Sequence, residues 1–116
     1  MPTFAVSLHF VVEGPDGVRR EHADRVFDGY AAVQDAAAHL LGSSWSYAER
    51  PGHAQVEVEL TVEAPDKALA FERGCAGVWW AIQDAGGLTP GTAEPARGPA
   101  AVVYRVAGES VQLVRA

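Results

Sequence analysis

Residues Gln55 to Glu63 read QVEVELTVE, and Ala64-Pro65-Asp66 then leads directly into KALAFERGCAGVWWAIQDAGG, from Lys67 to Gly87. The first nine residues alternate polar and apolar side chains, the period of a strand with one buried and one wet face. Ala64-Pro65-Asp66 stops that strand and starts a helix. Behind it Phe71, Cys75, Val78 and Ile82 recur at helical spacing. A strand followed at once by a helix is therefore the unit around which the chain is read.

Upstream, Phe4 to Glu13 sets Phe4, Val6, Leu8, Phe10 and Val12 on one face and Ala5, Ser7, His9, Val11 and Glu13 on the other, so it reads as a first strand. Gly14-Pro15-Asp16-Gly17 is a turn. Val18 to Phe27 is polar with weak alternation and reads as a hairpin arm or an irregular lead-in. A helix is expected from Asp28, with Tyr30, Val33, Ala37, Leu40 and Leu41 as its apolar stripe and Gly42 as its end. Ser43 to Arg50 reads as a second strand, turning through Pro51-Gly52 into the third. Downstream, Gly86-Gly87 ends the second helix and Leu88 to Pro99 is too rich in Pro and Gly for regular structure. Ala101–Ala107 and Ser110–Arg115 read as two short strands around Gly108-Glu109.

The halves resemble each other. A shift of about fifty residues lays Val6, Val12, Glu13, Pro15 and Asp16 on Val56, Val62, Glu63, Pro65 and Asp66, and a shift of about one fewer lays Ala32, Gln34, Asp35 and Ala36 on Ala81, Gln83, Asp84 and Ala85. A strand-helix-strand unit used twice gives a single α+β domain. The pattern resembles the ferredoxin-like superfold: a βαββαβ two-layer sandwich with an antiparallel sheet, both helices on one face and, here, an extra C-terminal strand. In that arrangement the first and third strands are central neighbours. The superfold hosts many unrelated functions and names none.

The 116 residues, 48% hydrophobic, suit one domain with a core of its own. A net charge of −6 with nine scattered Lys and Arg lacks the basic stripe that phosphates require, so no nucleic-acid partner is expected. No apolar run approaches the roughly 20 residues of a membrane span, so no membrane is expected. One cysteine makes no disulfide framework, and MPTFAVSLHFVVEG alternates like a strand without a basic lead, so the expected location is cytoplasmic.

If the first and third strands are neighbours, Ser7 and His9 share a wet sheet face with Glu57, Glu59 and Thr61. His beside Glu can bind a metal or trade protons, but no second His or Cys completes a zinc set, and no metal or other cofactor is expected. His22, His39 and His53 share no ligand spacing and read as solvated. Cys75 reads as a small core residue. On the second helix Trp79 falls at the edge of the core stripe and Trp80 opposite it, beside Leu69 and Ala76 and flanked by Glu72 and Arg73. An outward strip of this kind meets a partner or the Pro-rich loop. Gly74 and Gly77 are costly inside a helix unless another element approaches closely. No phosphate loop or nucleophile elbow is present, and no catalytic residue is assigned.

The reading is a small non-catalytic binding or accessory protein that acts by self-association, as a dimer, and through a protein-partner or small-ligand surface. Its candidate residues are Ser7, His9, Glu57, Glu59, Leu69 and Trp80. The competitor is a small cofactor-independent enzyme with a pocket between sheet and helices, using His9, Glu59 or Tyr47. A concave pocket with converging polar groups separates the two.

Overall fold

The computed structural model describes residues 1–87, 89 and 102–114. Six elements follow in order: β1 (Thr3–Glu13), α1 (Val18–Ala36), β2 (Leu40–Arg50), β3 (His53–Glu63), α2 (Lys67–Asp84) and β4 (Val103–Val114). The strands form one open sheet in the order β2-β3-β1-β4, every neighbouring pair antiparallel. β1 and β3 are the two central strands. Their even-numbered residues, from Phe4 and Val6 to Leu60 and Val62, are buried under the two helices, and the odd-numbered ones form the uncovered face.

The third strand and second helix lie where the sequence puts them. Asp66 has extended backbone and accepts a hydrogen bond from the Leu69 amide at 2.9 Å, the N-cap arrangement, worth about 0.5–2 kcal/mol. The glycines of α2 mark two close approaches. A Cβ on Gly74 would stand 3.1 Å from Leu60 Cδ1, and one on Gly77 would stand 3.1 Å from the Tyr30 ring and 3.4 Å from Val33. The first lets the helix settle on the sheet, the second on α1.

Three expectations are corrected. The first helix begins at Val18, not Asp28, and ends at Ala36, so Val18–Phe27 is neither a hairpin arm nor irregular. Its buried positions, Arg19, His22, Ala23, Val26 and Tyr30, have helical spacing, but an arginine and a histidine among them hide the apolar stripe. Leu40 and Leu41 belong to β2, whose pairing starts at Leu40 rather than Ser43, and Gly42 sits at a register shift inside it instead of ending a helix. The two short C-terminal strands are one strand, β4: His9 pairs with Gly108 and Phe10 with Val106, so Ala107 is an extra residue in a bulge, not an arm of a tight turn. Among the described residues there is no additional C-terminal strand. The expected Leu88–Pro99 loop lies, apart from Thr89, outside the described residues.

Candidate functional site

Sheet pairing turns separate stretches of sequence into rows. Across the uncovered face one row reads Ser46, Glu57, His9, Gly108 and the next reads Ser44, Glu59, Ser7, Ser110. These residues line a groove of about 440 Å³. Glu57 and Glu59 are exposed, while Ser7 and His9 are partly covered. The Nε2 atom of His9 is buried without a hydrogen-bond partner among the described residues. The bulge places Gly108 opposite it, where a Cβ would be 3.8 Å from the His9 Cβ, so β4 presents no side chain directly across from His9. Among the described residues no Lys or Arg lines the groove. Three glutamates, Glu109 with Glu57 and Glu59, join four serines and a histidine on the lining of this concave, negatively charged, acceptor-rich surface.

The sheet separates this groove from Tyr47, which pairs with Val56 and so lies on the helix side. His9 and Glu59 on one face cannot converge with Tyr47 on the other. Between α1 and β2 there is a cleft of about 270 Å³ lined by Arg20, Phe27, Trp45 and Tyr47. That is small beside the roughly 300–1,000 Å³ of ordinary ligand pockets. Among the described residues no three His, Cys, Asp or Glu side chains gather as metal ligands.

Leu69 and Trp80 belong to a different surface. With Ala76 they line a largely apolar groove of about 660 Å³ between α2 and the C-terminal part of α1, rimmed by Glu72, Arg73 and His39. Trp80 is 51% exposed, whereas Trp79 is partly buried with its ring edge against Phe10 at 5.4 Å. The helical wheel separates the two tryptophans correctly.

The polar cluster that sequence reading missed lies under the N-terminal half of α1. Arg19 is 2% exposed; it donates to the Gly14 carbonyl at 2.7 Å, pairs with Asp16 at 2.7 Å and with Glu49, and Tyr47 donates to the same Glu49 carboxylate. Hydrogen bonds from Tyr47 and Arg19 hold the Glu49 carboxyl below its usual range, and burial pushes the Tyr47 phenol up to about 12. His22, expected in solvent, is 3% exposed, with Nδ1 2.9 Å from the Tyr104 hydroxyl. Burial first, and then Arg25, lowers its pKa; the Ala85 carbonyl acts weakly in the opposite sense. Cys75 is buried, and burial raises its thiol to about 12, so it is an inert core residue. The signal for α1 was present in the repeat: Pro15-Asp16 aligns with Pro65-Asp66, and both precede a helix.

Compared with known proteins, the chain matches no family model and no curated protein.

Proposed function

We propose that this is a non-catalytic binding protein of ferredoxin-like layout whose uncovered sheet face takes a small organic cation. The observation that carries the reading is the groove around His9: its lining holds Glu57, Glu59, Glu109 and four serines and, among the described residues, no basic side chain. A ligand with ammonium or guanidinium N–H groups supplies both the missing positive charge and the donors that these acceptors lack. The net charge of −6 draws such a ligand in and repels anions. Catalysis is the weaker reading, because no hydrogen bond joins His9 to its cross-strand neighbour Glu57 and Tyr47 is on the other face. In the same reading the chain self-associates and, with its one cysteine buried as a thiol, works in the cytoplasm.

1,4-Diaminobutane is a suitable first ligand. It is expected to raise the melting temperature of the wild-type protein in a saturable way, with succinate at equal ionic strength giving no shift. Glu57→Gln with Glu59→Gln should weaken the diamine effect by at least about tenfold while leaving the unliganded melting temperature near wild type, since both side chains are exposed. Equal shifts with diamine and succinate, or an unchanged response in the double variant, contradict the reading.

A further inference from the structure

The groove between the helices, about 660 Å³, is largely apolar, and its α2 wall is self-complementary. Along that wall stand Leu69, Glu72, Arg73, Ala76 and Trp80, one helix face at spacings of three and four, with exposed Pro65 just ahead of the helix. A two-fold axis crossing α2 at right angles between Glu72 and Arg73 lays a second copy antiparallel on the first. It sets Glu72 against the second copy's Arg73, Leu69 against its Ala76, and Pro65 against its Trp80. Each pair is complementary: opposite charges, a large side chain over a small one, and an indole over a proline ring. The symmetry makes each match twice, as an isologous interface demands. The opposite wall is supplied by Ala32, Val33 and Ala36 of α1, Ala37 at its C-cap and Leu40 of β2, and the three alanines leave room for the incoming helix. Arg73 is already steadied on the rim, donating to the Glu63 carbonyl at 2.9 Å, and Glu72 has no ion pair among the described residues.

We infer that the Trp80 groove is the homodimer interface of this protein, formed by antiparallel packing of α2 on α2 about a two-fold axis between Glu72 and Arg73. The inference rests on the self-association in the reading above and is independent of the cation site on the other side of the molecule. Half-exposed Trp80 becomes buried in the dimer, one aromatic anchor at each end of the helix pair.

Sedimentation velocity at micromolar concentration tests it. The wild-type chain is expected to sediment at twice its monomer mass, and Trp80→Glu as a folded monomer. Glu72→Arg and Arg73→Glu should each weaken dimerisation by at least about tenfold, by setting like charges face to face at two symmetric places. The double exchange, Glu72→Arg with Arg73→Glu, should recover most of the loss, which a merely structural role for Arg73 would not allow. A dimer indifferent to Trp80→Glu, or charge variants whose defects add instead of cancelling, overturns the interface but leaves self-association standing. A wild-type monomer overturns both.

Discussion

Phe10→Ala is expected to lower the free energy of unfolding by about 3–5 kcal/mol, the cost of truncating a buried aromatic. Phe10 is fully buried on a central strand, and its ring meets the Trp79 ring at 5.4 Å and the Tyr104 ring at 6.0 Å, both edge-on. The cavity would open where β1, β4 and α2 meet, and no neighbour can collapse into it without leaving its own contacts. Against a total of about 5–15 kcal/mol for a domain of this size, the loss brings the variant close to unfolding at room temperature. Trp79→Ala should cost less, because that ring is only partly buried. Urea titration followed by circular dichroism measures both. An effect of Phe10→Ala below about 1 kcal/mol would mean that the ring is not packed as described.

The second large effect is a loss of stability in mild acid that belongs to His22. Its imidazole is held between α1 and Tyr104 of β4, with Arg25 as the nearby cation and Gly87 against the ring, where a Cβ would stand 2.7 Å from Cε1. In the folded chain its pKa lies below the ordinary 6.5, chiefly because burial penalises the charged ring. Below pH 6.5 the unfolded chain therefore binds a proton that the folded chain resists. The stability is fully present above pH 6.5 and is lost as the pH falls through the lowered folded value. The slope in that window approaches about 1.4 kcal/mol per pH unit. His22→Phe should remove the slope while keeping an aromatic ring in place. Melting temperatures from pH 7.5 down to 5 check this, and parallel curves for wild type and His22→Phe would contradict it.

Much of the architecture was legible because β1, β3 and α2 carry clean periods. Val56, Val58, Leu60 and Val62 alternate with polar residues, and each is buried. Asp66 caps the helix that its position after Pro65 announces. The first helix was obscured for a physical reason: Arg19 and His22 occupy core-facing positions, where Glu49 and Tyr104 from distant parts of the chain join the nearby Asp16 as their partners, and no local pattern reveals the distant two. Leu40 continued an apparently helical stripe because apolar residues near a helix end fit either period. β4 was divided in two because Gly108 marks a bulge as readily as a turn. The site residues divide in the same way. The sequence brought Ser7 and His9 to Glu57 and Glu59 once β1 and β3 were neighbours, but Ser44, Ser46 and Ser110 needed the pairing of both edge strands.

The most direct test of a cation site on the sheet is the location of the response, read residue by residue in a ¹H–¹⁵N correlation spectrum during titration with 1,4-diaminobutane. Saturable shifts concentrated on Ser7, His9, Ser46, Glu57, Glu59 and Ser110, with α2 from Leu69 to Trp80 unmoved, are the predicted result. Shifts centred on the Trp80 groove, or a linear drift spread over all exposed carboxylates, would contradict the account.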